Sequence, residues 1–116
     1  MIPITVAELA LWRHTGFGHR LLDVRRRQAR AADGTTLSGA RWLDPSLWLD
    51  WKDGIEKDQP VVVYCAFGHE ISQGLTAALR AMGADARHLD GGIAAWKAAG
   101  EATQPVDAAG VVSSTG

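Results

Sequence analysis

The feature that most constrains the fold is the run PVVVY at 60–64, in which branched and aromatic residues follow one another with no polar residue between them. A strand with one solvent-facing side alternates apolar and polar residues. An unbroken run of this length is instead typical of a strand covered on both faces in a parallel sheet. Parallel strands need long crossover connections, which are usually helices. The run therefore predicts an α/β protein.

Strands and helices alternate along the rest of the chain. The pattern predicts a helix from Thr5, where Glu8 completes a capping box, and a strand at 20–24. The remaining elements are helices at 45–53, 72–82 and 93–99 and a strand at 86–89. We expect Asp44 to cap the helix that follows it, and Ser72 to cap the helix that it opens. This order predicts a mostly parallel sheet with helices on both faces, joined by right-handed crossovers.

The chain of 116 residues fits one domain, which we place at residues 1–102. Residues 103–116 hold few branched apolar side chains among alanine, glycine and serine, so we expect a flexible C-terminal tail there. The apolar run at 60–67 is too short for a membrane-spanning helix, and the N-terminus lacks the pattern of a signal peptide. We therefore expect a cytoplasmic protein with no membrane partner.

Charge and cysteine content exclude further classes. Twelve Lys and Arg against thirteen Asp and Glu give a net charge of -1, so no global positive field is available to gather nucleic acid. The single cysteine excludes an internal disulfide and the usual multi-thiolate zinc sites. We expect no nucleic-acid partner, no metal and no cofactor.

Cys65 is the first residue after the predicted buried strand and opens the loop 65–71. In such sheets ligands gather at the carboxyl ends of the strands. A short loop that turns into a helix start points backbone N–H groups inward, with the positive end of the helix dipole behind them. Such an anion cradle favours the nucleophilic thiolate over the thiol. From position alone, Cys65 is either reactive or an inert residue packed like a small hydrophobe.

A set of motifs that spans residues 5–100 resembles the rhodanese domain superfamily. The motifs are LLDVR at 21–25, the Cys65 loop with Gly68 three residues on, the helix ending at Gly83, and LDGGIAAW at 89–96. The resemblance implies a rhodanese-like α/β fold with a central, mostly parallel five-stranded sheet and helices on both faces. It also implies a catalytic cysteine that carries a sulfane sulfur as a persulfide.

Carried over residue by residue, the resemblance makes Cys65 the sulfur carrier. It makes the backbone amides of the loop the substrate-binding cradle: Ala66, Phe67, Gly68, His69, Glu70 and Ile71. Asp23 and Arg25 match the family's DVR motif and would help to organise the loop. The implied sulfurtransferase takes sulfur from a small donor such as thiosulfate and passes it to a thiol or protein acceptor. That acceptor is external, because the chain has no second cysteine, and the oligomeric state stays open.

The loop departs from the family pattern in length and charge. It counts seven residues to the predicted helix rather than six, and none of its side chains is a permanent cation. We therefore expect thiosulfate to be held weakly, by backbone amides alone. Glu70 adds a negative charge near the mouth, while His69 would supply a positive one in mildly acidic solution. The run RRR at 25–27 is interpreted as a solvated helix face with Arg25 turned inward. Whether Phe67 and Trp42 shape an apolar entrance stays open.

Two other functions remain as alternatives. A seven-residue loop is the length found in related phosphatases and arsenate reductases, but those enzymes place an arginine six residues after the cysteine, where this chain has Ile71. Without a guanidinium to stabilise the transferring group, such activity should be poor. The second alternative is a noncatalytic rhodanese-like binding module, although such modules usually lack the cysteine that this chain retains.

Overall fold

The computed structural model describes residues 3–106 and confirms the predicted α/β class. Its helices and strands run, in chain order, as α1 (Val6–Thr15), β1 (Arg20–Asp23), α2 (Arg27–Asp33), β2 (Thr35–Thr36), β3 (Arg41–Trp42), α3 (Trp48–Trp51), β4 (Val61–Tyr64), α4 (Glu70–Ala81), β5 (Ala86–His88), α5 (Gly92–Ala98) and β6 (Gln104–Pro105). None of these helices is long and apolar enough to cross a membrane.

The central sheet has four parallel strands in the order β3-β1-β4-β5. Five strands were expected, and the fifth position is a single parallel bridge between Ile4 and Leu89. One residue pair makes a bridge rather than a strand, so the expected count differs from the structure by one. In the centre of the sheet the register sets Asp23, at the end of β1, beside Tyr64, at the end of β4. Asp23 thus lies next to the residue that precedes Cys65.

Strand β4 is buried on both faces, as its unbroken apolar run predicts. Val61 and Val63 belong to the hydrophobic cluster that also contains Leu79 of α4. Val62 and Tyr64 belong to a second cluster on the opposite face of the sheet, together with residues of α1 and α5. Cys65 continues the alternation and belongs to the first cluster. Its side chain therefore lies on the α4 side of the sheet.

Two predicted helices differ from the observed ones. Helix α4 begins at Glu70, so Ser72 lies inside the helix and does not cap it. The helix predicted at 45–53 is reduced to α3, which is flanked by 3-10 segments at Pro45–Leu47 and Lys52–Gly54. Asp44 caps the first of these segments as expected, and its backbone carbonyl also accepts a hydrogen bond from the Trp51 indole at 2.8 Å. These bonds tie the segment into tight turns rather than one regular helix.

Part of the predicted tail is paired with the domain. Strand β6 lies antiparallel to β2, with Gln104 opposite Thr36 and Pro105 opposite Thr35. The chain therefore stays on the domain beyond residue 103, where the tail was predicted to begin. The prediction missed β2 because residues 34–38 are rich in turn-forming residue types. The rest of the predicted tail, residues 107–116, lies outside the described residues.

The Cys65 loop and the start of α5 meet backbone to backbone at two glycines. Gly68 and Gly92 both have positive φ, at 74° and 62°. A Cβ atom added to Gly92 would lie 2.5 Å from the carbonyl oxygen of Cys65, and one added to Gly68 would lie 2.7 Å from the backbone nitrogen of Gly91. Both positions require glycine because the backbone is left-handed there and because a side chain has no room. This contact fixes the loop against α5.

We expect Gly92→Ala to lower the free energy of unfolding by about 2 kcal/mol or more, since it combines backbone strain with a clash against the main chain. Gly74→Ala is the matched control. Gly74 lies on the open side of α4 with no atom within 4 Å of an added Cβ, so alanine should raise the unfolding free energy by about 0.5–1 kcal/mol. Urea unfolding measures both variants, and a Gly92→Ala protein as stable as wild type would contradict the tight contact.

Candidate active site

Cys65 lies where the sequence predicts it, directly after β4 at the carboxyl edge of the sheet. The residue is 6% exposed. It nevertheless lines a cavity of about 310 Å³ whose other walls come from the loop, from the first turn of α4 and from residues 25–29. The hydrogen-bond partner of its sulfur is a side chain, the hydroxyl of Ser72, with Sγ and Oγ 3.1 Å apart. Cys65 is thus a mostly buried residue that borders a cavity.

The first two carbonyls of the loop are held by the start of α5. The backbone N–H of Ile93 donates to the Cys65 carbonyl, and that of Ala94 donates to the Ala66 carbonyl, each at 3.0 Å. In a trans peptide the C=O and N–H groups point in opposite directions. The N–H groups of Ala66 and Phe67 therefore point away from α5. This orientation leaves them available to a group bound on the other side of the loop.

The loop amides are unpaired in the described part of the chain. Within residues 3–106, no carbonyl or side chain accepts a hydrogen bond from the backbone N–H groups of residues 66–72. The predicted ring of amides therefore makes no hydrogen bond with the cysteine sulfur, which contacts the Ser72 hydroxyl instead. The same amides are free donors at the start of α4, where the helix dipole adds positive potential.

The helix start also changes the length of the loop. Because α4 begins at Glu70, five residues, 65–69, separate β4 from the helix rather than the seven predicted. Glu70 and Ile71 belong to the first turn of α4, and Ile71 is half-buried against the core cluster around Cys65. The prediction erred because it placed the helix start at Ser72 as a capping residue.

The loop side chains differ in exposure. Phe67 is 62% exposed, whereas Gly68 is buried and Ala66 is half-buried. The Phe67 and His69 rings are neighbours, with centroids 6.4 Å apart. His69 and Glu70 are exposed, and both line the cavity. The mouth of the cavity thus combines an aromatic ring, an imidazole and a carboxylate.

Two arginines lie on the cavity wall that faces the loop, where the sequence led us to expect backbone amides alone. Arg25 and Arg26 both line the cavity, together with Ala29 of α2. Arg25 is turned inward as expected, but Arg26, assigned to a solvated helix face, precedes α2 as its N-cap residue and borders the cavity. The cavity therefore has permanent cations that the loop itself lacks. In the sequence, the one sign that Arg26 would line the cavity is its position directly after the DVR motif.

Arg25 is held in place by a buried ion pair with Asp23. Its Nη2 lies 2.7 Å and its Nε 3.0 Å from the two carboxylate oxygens of Asp23, and both side chains are almost fully buried. Arg25 also donates to Asp33 at 3.1 Å and to the Thr35 carbonyl at 2.7 Å. Burial alone would lower the pKa of Arg25, but the hydrogen bonds and charge of Asp23 outweigh it and raise that pKa. The guanidinium therefore stays protonated, and its charge is balanced by the carboxylates of Asp23 and Asp33.

Tyr64 extends this network through the sheet. Its hydroxyl lies 3.2 Å from a carboxylate oxygen of Asp23 and 2.8 Å from the hydroxyl of Thr36, and it accepts a hydrogen bond from the Leu37 N–H. Burial, followed by the negative charge of Asp23, raises the pKa of Tyr64 from 10.0 to about 12. Trp42 does not line the cavity, and its indole instead donates to the Arg25 carbonyl at 2.8 Å. Trp42 and Tyr64 therefore contact Arg25 and its partner Asp23, and neither lines the cavity.

Comparison with known proteins identifies the family. A family model described as the rhodanese-like domain matches residues 5–99. The chain belongs to the rhodanese-like domain family. The resemblance drawn from the four motifs is therefore confirmed.

Several individual proteins are similar to this rhodanese-like domain. A probable adenylyltransferase/sulfurtransferase MoeZ from Mycobacterium tuberculosis is 35% identical over 96 residues, which cover 80% of this chain and 24% of that protein. The chain thus spans about a quarter of the length of this relative. A rhodanese-related protein from Thermoplasma volcanium superposes with a TM-score of 0.78 at 21% identity, covering 90% of this chain and 98% of that one. A thiosulfate sulfurtransferase from Pseudomonas aeruginosa superposes at 0.72 with 28% identity, covering 89% and 19%.

The network around Asp23 predicts an unusual titration of Tyr64 in this rhodanese-like domain. Tyr64 is the only tyrosine in the chain, so the ultraviolet absorbance of tyrosinate reports on it alone. We expect a midpoint near pH 12 in the folded protein and near the ordinary value of 10.0 in urea. Because the folded-state pKa is the higher one, the associated stabilisation is complete below pH 10 and is lost as the pH rises towards 12.

The control is Tyr64→Phe, which should be less stable than wild type at pH 7 but should show no tyrosinate signal and a flatter loss of stability between pH 10 and 12. A folded wild-type protein whose tyrosinate appears near pH 10 would show that Tyr64 is not buried against Asp23.

Proposed function

We propose that this chain is a sulfurtransferase that moves a sulfane sulfur through a persulfide on Cys65 to an external thiol or protein acceptor. The observation that carries the proposal is the position of Cys65 in the wall of a cavity that two arginines also line. The unpaired backbone amides of residues 66–72 belong to the loop that Cys65 opens and to the first turn of α4. A nucleophilic sulfur in a cavity lined by arginine and by free backbone N–H donors suits a donor that is a small anion.

With thiosulfate as the donor, the first step is a displacement at sulfur. The Cys65 thiolate attacks the outer sulfur of thiosulfate and forms a new S–S bond. The S–S bond of thiosulfate breaks, and sulfite leaves with its electron pair. We expect Arg26 and the loop amides to bind the sulfonate oxygens, because Arg26 lines the cavity and the amides have no other acceptor within residues 3–106. The product is the Cys65 persulfide.

The second step transfers the sulfur outward. A thiolate on the acceptor attacks the outer sulfur of the protonated persulfide, the bond to Sγ breaks, and Cys65 leaves as a thiolate. The proton stays on the transferred sulfur, so the acceptor becomes a persulfide. No other cysteine exists in this chain to compete by forming an internal disulfide.

The similar proteins support this chemistry. The Mycobacterium tuberculosis relative is described as a probable adenylyltransferase/sulfurtransferase, and the Pseudomonas aeruginosa neighbour is a thiosulfate sulfurtransferase. The phosphatase alternative has less support, because position 71 holds an isoleucine packed against the core rather than a guanidinium facing the cavity. Retention of the cysteine beside two arginines argues against a purely noncatalytic module.

Sulfur uptake is tested by intact-mass measurement. We expect the wild-type protein to gain the mass of one sulfur atom after incubation with thiosulfate, mercaptopyruvate or a glutathione persulfide, and to lose it on addition of cyanide. Cys65→Ser is the matched control and should gain nothing. The proposal is wrong if the wild-type protein gains no sulfur from any of these donors, and hydrolysis of an aryl phosphate without a mass gain would favour the phosphatase instead.

The role of the arginine wall is tested with Arg26→Ala. Loss of one charged contact should raise the KM for thiosulfate by roughly fivefold, which corresponds to about 1 kcal/mol, and should weaken the salt dependence of KM. Arg27→Ala removes the same charge one residue away, from a side chain that stacks on Trp42 and does not line the cavity. Equal KM values in the two variants would show that only the overall charge matters.

A further inference from the structure

Ser72 is buried against the reacting sulfur. It lies in the first turn of α4, its residue exposure is 0%, and its Oγ is 3.1 Å from Sγ of Cys65. Within residues 3–106, the sulfur is the hydrogen-bond partner of this hydroxyl. A buried hydroxyl without a partner is costly, so the serine and the cysteine satisfy each other.

We infer that Ser72 donates a hydrogen bond to Sγ whenever Cys65 is ionised, and that it thereby assists Cys65 both as the attacking group and as the leaving group. This inference rests on the proposed sulfur transfer and assigns a further residue to it. A thiolate has no proton to donate, so in that state the serine O–H must be the donor. A hydrogen bond to the charged form favours that form, and the effect is strengthened by the low dielectric of a buried site.

The Ser72 hydroxyl makes no competing hydrogen bond with the main chain within residues 3–106. A serine inside a helix often donates to a carbonyl one turn earlier, which here belongs to Gly68. The Gly68 carbonyl accepts instead from the side-chain amide of Gln73, at 2.8 Å. No hydrogen bond from Ser72 to the main chain forms in the described residues. The Ser72 hydroxyl is therefore free to hydrogen-bond with the Cys65 sulfur.

Ser72 and the loop amides act on different sulfur atoms. In the persulfide, Sγ is bonded to two neighbours and carries no charge, while the outer sulfur carries the ionisable proton. When an acceptor thiolate takes the outer sulfur, the electron pair of the broken S–S bond returns to Sγ, which lies beside Ser72. The hydroxyl stabilises the charge at that moment, as a donor in an oxyanion hole does for oxygen. The free amides of the loop remain available for the outer sulfur and the donor.

Thr76 provides a matched control within the same helix. It lies one turn after Ser72 on the same face of α4, is also fully buried, and its hydroxyl has no hydrogen-bond partner in the described residues. Thr76→Val removes a buried hydroxyl at nearly constant shape without touching the sulfur. The other charged or titratable groups near the sulfur stay the same in both variants. They are Arg25, Arg26, His69 and Glu70 in the cavity wall, and Asp23 and His88 at the ends of the neighbouring strands.

The test is the rate of Cys65 alkylation by iodoacetamide as a function of pH, which reports on this residue alone because the chain has one cysteine. We expect Ser72→Ala to move the midpoint of the rate profile upward by about one pH unit, as the loss of one hydrogen bond to a charged group implies. Thr76→Val should leave the midpoint where it is in wild type. Alanine is favourable in a helix interior, so we expect Ser72→Ala to fold. Urea unfolding of both variants checks this.

Release of sulfur is measured separately, by loading the persulfide and following its loss to cyanide. We expect Ser72→Ala to release sulfur about tenfold more slowly than wild type and than Thr76→Val. An unmoved alkylation midpoint in Ser72→Ala, with wild-type protein that takes up sulfur, would overturn the role of Ser72 alone. A moved midpoint in a protein that takes up no sulfur would support the hydrogen bond to the thiolate and overturn the proposed function.

Discussion

The buried ion pair between Asp23 and Arg25 is the interaction on which the cavity wall depends. Both side chains are removed from water, so each needs the other, and a variant that kept only one would leave an uncompensated charge in the core. Asp33, the Thr35 carbonyl and the Tyr64 hydroxyl satisfy the remaining hydrogen-bonding groups. The pair thereby joins β1, the end of α2 and the centre of the sheet.

Strand β4 connects this ion pair to the sulfur through its alternation. Tyr64 points to the face where it reaches Asp23, and Cys65, the next residue, points to the α4 face where it meets Ser72. One strand therefore fixes the ion-pair network and the Cys65 sulfur on opposite faces of the sheet. The loop that follows lines the cavity together with Arg25 and Arg26. A change in register of β4 would exchange the two faces and separate the sulfur from the serine.

The sequence predicts the strand, the position of Cys65 and the inward turn of Arg25, because each follows from a local pattern or a short motif. It does not predict Arg26 in the cavity wall, since the break between the DVR motif and α2 decides which arginines of the run face the loop. Serine favours the capping position, so the sequence predicts Ser72 as a cap. In the structure α4 begins at Glu70, and the Ser72 hydroxyl lies 3.1 Å from the sulfur. Strand β6 was missed because its partner, β2, is only two residues long.

The contact of Gly68 and Gly92 with neighbouring backbone limits how a molecule could approach the Cys65 sulfur. Two hydrogen bonds from α5 hold the loop carbonyls, and main-chain atoms fill the space between the two turns. The loop cannot swing outward without carrying α5 and its buried tryptophan, Trp96, away from the sheet. For the proposed sulfur transfer, this means that a donor or acceptor would have to be narrow enough to pass Phe67, and that an acceptor protein would have to present its thiol on a projecting segment.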